Sequence, residues 1–413
     1  MNPLSAGIDP NAAPPDPSGI DDQAPAQAEA DPDCPPVLFN TETVRWPMTG
    51  VGRYAMDLAG ALRRQAGGRI HCMPNDPDDP PREPVARGRT LGRLRALGRE
   101  APLAYELVNA WRDRRFVQRT RDLAGCVYHE PNYILRPFDG PSIVTVHDLS
   151  VLRYPEHHAR ASRRFVERNL PRSLARADLV MVPTQYVAGE LRDTLGVPGH
   201  RIRAVHSGVA PQFGGPDLPR ATLTERLRAH DLVPDGYVLS VGTREPRKNL
   251  ETAVRACERL PAATRRRMPL VVVGPPGWRH SRVETLLTRL RDRGEARLLG
   301  FVDDATLRLL YEGARAFVYL SWYEGFGFPP LEAMSRGTAV LTSTAGSLLE
   351  VTGDAALHVP ADDVAAAHAQ LARLLEDTDL RHRLAAAGQR RAAGFTWDRT
   401  ARATLALYRA AAG

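Results

Sequence analysis

The sequence predicts an α/β protein made of two doubly wound parallel sheets that face each other across a cleft. Short apolar runs alternate with helical patterns throughout both halves of the chain, which is typical of βαβ units. A stretch rich in Pro and Gly, residues 211–219, separates the halves and is a natural hinge. With 413 residues, the chain is long enough for two domains of ordinary size.

Each half contains a series of predicted strands bounded by helices. The predicted strands are 37–39, 127–129, 143–147, 179–183 and 202–205 in the first half, and 237–241, 270–273, 296–299, 316–320, 339–342 and 356–358 in the second. The predicted helices include 53–66, 163–176, 361–375, 380–392 and 397–411. We divide the chain into a tail (1–36), an N-terminal domain (37–212), a C-terminal domain (213–390) and a final helix (391–413) that packs back toward the N-terminal domain. Two such domains would bind a ligand between them, at the carboxyl ends of their strands.

Charge is distributed unevenly along the chain. Residues 1–36 contain seven acidic residues, no Lys or Arg and few large apolar side chains, so we predict a disordered tail. Without those seven negative charges, the net charge of +7 becomes +14 for the remaining residues. A basic body indicates anionic partners such as nucleotide phosphates, lipid headgroups or nucleic acid. Lys248 is the only lysine of the chain.

Cysteine usage and hydropathy indicate a cytoplasmic location. The four cysteines have no paired spacing, which argues against a disulfide framework or a zinc site. The N-terminus lacks the pattern of a signal peptide, and no apolar run approaches the ~20 residues that span a bilayer.

The strongest chemical signal is the segment YEGFGFPPLEAM, residues 323–334. It follows a predicted strand and opens a short helix, whose first turn tolerates proline. Its glycines let backbone amides approach a ligand closely, and the helix N-terminus attracts anions. Glu324 and Glu332 flank the turn, and carboxylates accept hydrogen bonds from sugar hydroxyls. The alternative is a strand–loop–helix joint with solvated glutamates.

This Glu-x7-Glu segment resembles the retaining glycosyltransferase family 4, also called group 1, whose members have the GT-B fold. Further segments resemble blocks of that family in the same order along the chain: 50–54, 147–149, 183–186, 206–209, 238–250, 300–302 and 395–397. The resemblance covers roughly residues 37–410. It implies a GT-B fold with two Rossmann-like domains. It also implies transfer of a hexose from a nucleotide-diphosphate sugar to a carbohydrate or lipid-linked oligosaccharide.

The resemblance assigns roles to individual residues. Arg247 and Lys248 would stabilise the leaving diphosphate, as preorganised cations stabilise developing negative charge. Glu324 would contact the transferred sugar, Glu332 the ribose, and His147 would lie over the sugar from the other domain. The remaining donor-site positions are Gly325, Phe326, Gly327, Phe328, Gly50, Gly52, Gly242 and Arg244. The alternatives are a solvated basic turn at Arg247, a structural histidine and a simple helix start at Gly52.

Transferases of this kind are thought to lack a protein nucleophile, with a donor phosphate oxygen taking the acceptor's proton. A nucleophilic Glu324 is the alternative. We expect no metal and no other cofactor, because Asp-x-Asp triplets occur at 31–33, 76–78 and 377–379 but at no strand end. Arg247 and Lys248 can supply the charge neutralisation that Mg²⁺ supplies elsewhere.

Donor and acceptor are predicted from similarity to mannosyltransferase-like relatives. Segments 129–132 and 241–250 favour mannose from GDP-mannose, transferred to a growing bacterial polysaccharide or lipopolysaccharide chain. UDP- or dTDP-linked glucose, galactose or rhamnose are alternatives. Other classes are a sugar-nucleotide epimerase, a phosphorylase, which would need a pyridoxal-phosphate lysine, and a non-catalytic carbohydrate- or membrane-binding protein.

Residues 82–121 form a basic stretch with eleven arginines and four acidic residues. Leucines and arginines alternate in it as in a short amphipathic helix, so we hypothesise contact with anionic lipid at the inner face of the cell membrane. A solvated arginine-rich helix is the alternative. Nucleic-acid binding is not expected, because no matching module or aromatic platform accompanies the charge.

Overall fold

The computed structural model describes residues 33–45, 48–76, 79, 102–277 and 281–413. Within these residues the chain forms two sheets of six strands each, and every strand pairing is parallel. Helices cover both faces of each sheet. The predicted disordered tail lies outside the described residues except for 33–36.

The first sheet has the strand order β2-β1-β3-β4-β5-β6. Its strands are β1 Val37–Asn40, β2 Ile70–Met73, β3 Val127–Glu130, β4 Ser142–Thr145, β5 Leu179–Val182 and β6 Ile202–Ala204. The helices of this half are α1 Gly50–Ala66, α2 Pro102–Thr120, α3 Ser150–Arg153, α4 Arg160–Arg176 and α5 Gln185–Leu195.

The second sheet has the order β12-β11-β10-β7-β8-β9. Its strands are β7 Val238–Val241, β8 Leu270–Val273, β9 Ala296–Gly300, β10 Ala316–Tyr319, β11 Val340–Ser343 and β12 Ala356–Val359. Its helices are α6 Arg220–Arg228, α7 Leu250–Glu258, α8 Ala262–Arg267, α9 Ser281–Asp292, α10 Asp304–Gly313, α11 Phe328–Ser335, α12 Gly346–Thr352, α13 Val364–Glu376 and α14 Thr378–Ala393. A last helix, α15, spans Trp397–Ala412.

The predicted α/β class with two doubly wound parallel sheets is confirmed, and each predicted strand occurs within two residues of its expected bounds. Strand β2 was missed, because it lies at the sheet edge and the exposed His71 interrupts its apolar run. Helix α13 begins three residues later than expected, since the Asp363 side chain caps the amides of Ala365 and Ala366.

Helix α15 packs against the first sheet, although it follows the second in sequence. Trp397 and Leu405 belong to the same apolar core as Phe39 of β1. The Tyr408 hydroxyl lies 2.7 Å from Nδ1 of His129 at the end of β3. The final helix therefore ties the two halves of the chain together.

The strand order of each sheet reverses once, between β1 and β3 in the first sheet and between β7 and β10 in the second. The loops that follow two neighbouring strands diverge at such a point and leave a crevice at the carboxyl edge of the sheet. Each half of the chain therefore has one crevice that is suited to a ligand.

Candidate active site

The crevice of the second sheet holds the two predicted cations. Arg247 and Lys248 lie in a short 3-10 turn, Pro246–Lys248, that follows β7. Asn249 adopts a left-handed conformation with φ of 50°, and its amide donates to the carbonyls of Leu320 (2.8 Å) and Ala361 (2.6 Å). These bonds attach the basic turn to the end of β10, where the Glu-x7-Glu segment begins.

Glu324 lies opposite this turn and is 8% exposed. Its Oε1 accepts hydrogen bonds from Lys248 Nζ, Tyr319 Oη and Ser321 Oγ, each at 2.7 Å. Its Oε2 accepts from Arg247 at 3.2 Å. Burial would raise the pKa of Glu324, but Lys248 and Arg247 outweigh it and hold the pKa at about 2.

Arg247 has two further partners. It donates to the Tyr323 carbonyl (2.7 Å) and to Glu245 (2.9 Å). Burial opposes the charged form of Arg247, yet Glu324 and the nearby Asp148 and Glu245 raise its pKa. Burial lowers the pKa of Lys248, and Glu324 counteracts that effect. The two cations are therefore paired with two carboxylates, Glu324 and Glu245.

This arrangement changes the expectation for Glu324. A carboxylate has about four lone-pair sites, and four protein donors already engage this one. Three of these donors share Oε1, so a sugar hydroxyl could bind Oε1 only by replacing one of them, whereas within the described part of the chain Oε2 accepts from Arg247 alone. A carboxylate so strongly stabilised is also a poor nucleophile, which disfavours the covalent alternative.

Glu332 lies one helical turn into α11 and has a different environment. Its Oε2 accepts a hydrogen bond from the Tyr311 hydroxyl at 2.9 Å. Burial raises its pKa to about 7; Tyr311 and Arg53 oppose this, and Asp304 and Asp57 add to it. The two glutamates of the segment thus differ in pKa by several units and do not form a matched pair.

His147 follows β4 on the first sheet. Its Nε2 lies 2.8 Å from the Pro131 carbonyl, which can only accept, so Nε2 carries the hydrogen. Burial lowers its pKa. Its ring packs edge-on against Tyr54 at 4.6 Å.

The backbone of His147 contacts the Glu-x7-Glu segment from the opposite half of the chain. A Cβ atom on Gly325 would lie 1.8 Å from the His147 carbonyl oxygen, so only glycine fits there. The Gly325 carbonyl in turn accepts from the Thr184 hydroxyl at 3.0 Å. Nearby, Glu350 accepts from the amides of Gln185 (2.9 Å) and Tyr186 (3.0 Å) at the start of α5. The two halves are therefore in direct contact around the site.

The glycines of the first loop form the start of α1. Thr49 caps the helix by accepting from the Gly52 amide at 3.1 Å, and a Cβ on Gly52 would approach the Thr43 carbonyl to 2.7 Å. Gly50 faces open space. The helix-start interpretation of Gly52 fits this geometry, and a diphosphate contact at Gly50 and Gly52 stays a prediction.

Two other predicted glycines have backbone conformations that side chains rarely adopt. Gly242, after β7, has φ of 147°, and a Cβ on the neighbouring Gly274 would lie 2.1 Å from its carbonyl oxygen. Gly327 has φ of 113° and immediately precedes α11. The aromatic residues beside Gly327 anchor the loop, because Phe326 is buried and packs against Phe328 with ring centroids 5.0 Å apart.

Arg244 does not join the cationic pair. Its Nε donates to Glu284 at 2.7 Å, and another nitrogen reaches the Gly274 carbonyl at 3.3 Å. It is buried, so these bonds satisfy a charge that would otherwise be unpaired. Protein groups therefore engage the Arg244 guanidinium, and its contact with a donor phosphate stays a prediction.

Sequence reasoning missed several residues of the site. Tyr319, the last residue of β10, and Ser321, two residues further along the chain, both donate hydrogen bonds to Glu324. That spacing, directly before Glu324, was the signal that could have found them. Nothing in the sequence pattern marks Tyr311 as the partner of Glu332.

Within the described residues, no group of three or more His, Cys, Asp or Glu side chains is placed to hold a metal ion. Metal independence stays a prediction. Among the helices described, none is long and apolar enough to cross a membrane.

Two Rossmann-like halves in contact across a cleft, with a cationic pair at the carboxyl edge of the second sheet, define the GT-B class. The family model described as "Glycosyltransferase Family 4" matches residues 48–213, and the one described as "Glycosyl transferases group 1" matches residues 227–391. The chain belongs to this glycosyltransferase family, and it acts on a nucleotide-sugar donor and a carbohydrate acceptor.

Particular relatives share most of the chain. It is 34% identical over 381 residues to the O-antigen chain mannosyltransferase B of Escherichia coli, covering 90% of this chain and 99% of that protein. It is 30% identical to the serotype-specific mannosyltransferase WbdA of Escherichia coli, but covers only 39% of its length. The sucrose-phosphate synthase of Thermosynechococcus elongatus has the same fold, with a TM-score of 0.69 and 24% identity over 91% of this chain and 98% of that one.

Proposed function

We propose that the protein transfers mannose from GDP-mannose, with retention of configuration, to a growing O-antigen-type polysaccharide. The observation that carries this proposal is the pairing of Arg247 and Lys248 with Glu324 in the crevice of the second sheet. The choice of mannose is supported by the two Escherichia coli mannosyltransferases, one of which is similar over nearly its whole length.

The chemistry follows from the charges of the site. Cleavage of the glycosyl–phosphate bond places negative charge on the departing diphosphate, and Arg247 and Lys248 stabilise it as it develops. The planar guanidinium of Arg247 can bind two phosphate oxygens at once, and the flexible Lys248 side chain can move its ammonium toward the developing charge. A donor phosphate oxygen takes the acceptor's proton, because Glu324 and His147 are both held by other protein groups.

We also propose that the protein associates peripherally with the inner face of the cell membrane. Residues 82–101 of the basic stretch lie outside the described residues. Helix α2, which is described from residue 102, exposes Val108 and Val117 among its arginines. Apolar side chains beside cations favour contact with anionic lipid. Flotation with phosphatidylglycerol and phosphatidylcholine vesicles tests it, and equal recovery with both at low salt would contradict it.

A thermal-shift panel of GDP, UDP and dTDP tests the donor. A ligand stabilises the folded state by RT ln(1 + [L]/Kd), so GDP is expected to raise Tm the most. Release of mannose from GDP-mannose, with and without an oligomannoside acceptor, tests the activity in parallel. A larger shift with UDP would redirect the proposal to a UDP-sugar, and loss of turnover with EDTA that Mn²⁺ restores would contradict the metal-independent chemistry.

A further inference from the structure

The carboxyl edge of the first sheet contains a cavity that the donor chemistry does not use. It has a volume of about 320 Å³ and lies between the ends of β1 and β2, at Asn40 and Met73, and one face of α2. We call it the first-sheet pocket. The donor cations lie at the switch point of the second sheet, so the first-sheet pocket and the donor crevice can be occupied at the same time.

The first-sheet pocket carries an excess of positive charge. Five arginines line it with a single carboxylate, Glu42, and those arginines are Arg45, Arg112, Arg115, Arg119 and Arg136. Glu42 pairs with three of them, at 2.6, 3.4 and 2.6 Å for Arg45, Arg112 and Arg136. Among the described residues, neither Arg115 nor Arg119 has a carboxylate partner. Two cations at the pocket are thus left for an anionic ligand.

An aromatic surface accompanies these cations. Trp111 is 57% exposed and lines the pocket, with the Arg115 guanidinium 5.2 Å from its ring centroid. An exposed indole presents a flat apolar face, which suits the apolar face of a sugar ring. Trp111, Arg115 and Arg119 follow one another at four-residue spacing, so they lie on one face of α2.

The floor and wall of the pocket are fixed by buried groups. Phe116, which also lines it, packs on Tyr128 with ring centroids 5.1 Å apart. The Tyr128 hydroxyl and the Asn40 amide donate to Glu130 at 2.7 and 2.6 Å, and all three of these residues are buried. Such a wall holds the arginine-bearing face of α2 in place before a ligand arrives, which reduces the entropic cost of binding.

We propose that the first-sheet pocket binds a phosphate-bearing sugar of the acceptor. Arg115 and Arg119 bind the phosphate through charge-assisted hydrogen bonds, and Trp111 packs on the adjoining sugar ring. This inference rests on the proposed function, since it names the acceptor's anionic group. Uncharged saccharides would gain only the Trp111 contact and bind more weakly.

Binding is tested first, without turnover, by calorimetry with mannose 1-phosphate in saturating GDP, which occupies the donor site. The variant combines Arg115→Gln with Arg119→Gln, and Arg114→Gln is the matched control because Arg114 is exposed on the same helix but does not line the pocket. We expect the double variant to weaken binding at least about tenfold and the control to match the wild type. Trp111→Ala is expected to weaken mannose 1-phosphate binding and to leave inorganic phosphate unaffected. Equal effects of the double variant and Arg114→Gln would overturn the proposal.

Transfer assays and vesicles separate the sources of the phosphate. The KM for an oligomannoside with a reducing-end phosphate is expected to rise about tenfold in the double variant, while the KM for the matching methyl glycoside and the rate of acceptor-free donor hydrolysis stay unchanged. Unchanged KM values together with selective loss of phosphatidylglycerol-vesicle binding would assign these arginines to the lipid surface and overturn the inference. Failure of the proposed function is a separate result, because it would abolish donor hydrolysis and GDP stabilisation in the wild type too.

Discussion

Lys248 Nζ lies 2.7 Å from Oε1 of Glu324, and this contact joins the loops that follow β7 and β10 at the switch point of the second sheet. The Tyr319 hydroxyl contacts both groups, at 2.8 Å from the ammonium and 2.7 Å from the carboxylate. The only lysine of the chain is therefore held, before any donor arrives, in the crevice where a diphosphate would leave.

Glu324→Gln tests whether Glu324 balances the cationic pair. Removing one partner of a buried ion pair leaves uncompensated charge, so the free protein is expected to lose about 3 kcal/mol of stability. Because GDP would supply negative charge to Arg247 and Lys248, the variant's Tm should fall less below that of the wild type at saturating GDP. Differential scanning calorimetry with and without GDP measures both values. The exposed Glu225→Gln is the control, and a deficit that GDP leaves unchanged would contradict this role.

Glu332 makes stability depend on pH near neutrality. Its pKa is about 7 in the folded protein against an ordinary value of 4.5, so its contribution is full below pH 4.5 and is lost as pH rises through 7. Glu332→Gln keeps a neutral hydrogen-bond acceptor for Tyr311, and because glutamine does not ionise, the variant does not lose this stability as pH rises. The Tm of the variant relative to wild type should therefore rise between pH 5 and pH 8, by the equivalent of at most about 3 kcal/mol. A Tm difference between variant and wild type that stays constant over this pH range would contradict a raised pKa for Glu332.

Gly325→Ala tests the contact between the two halves. The added Cβ would clash with the His147 carbonyl, so the halves must separate by about an ångström or more. Such a misplacement is expected to lower turnover about a hundredfold. Gly189→Ala is the control, because in α5 its Cβ would meet only an Arg192 nitrogen at 3.8 Å. Steady-state kinetics with Tm measurements decide the matter, and near-normal turnover of Gly325→Ala would show that catalysis does not need this contact.

Much of the fold was predictable from local sequence. Apolar runs such as 270–273 and 316–320 are strands because parallel sheets bury both faces of a strand. The edge strand β2 was missed because it is not buried on both faces: His71 lies on its exposed side and breaks the apolar run. The residues that carry the site were also evident, because Lys248 and Glu324 follow strands whose carboxyl ends meet at one edge of a sheet.

The partners of these residues were not predictable. Arg244 is only three residues from Arg247, yet its side chain turns toward Glu284 on α9, and its backbone amide donates to the Pro275 carbonyl in the loop after β8. The four hydrogen bonds to Glu324 and the raised pKa of Glu332 depend on side chains that are brought together only by folding. Sequence spacing identifies such side chains but not which of them pair.

Lys248 is expected to stabilise the departing diphosphate, and the kcat of Lys248→Ala with GDP-mannose is the decisive measurement of that role. The variant is expected to lower kcat about 10²–10³-fold, the scale of removing one preorganised charge stabiliser, and Lys248→Arg to recover part of that loss. Glu324 keeps Arg247, Tyr319 and Ser321 as donors in the alanine variant, so its fold should persist and Tm measurements will verify this. A folded Lys248→Ala protein that turns over at the wild-type rate would contradict the account.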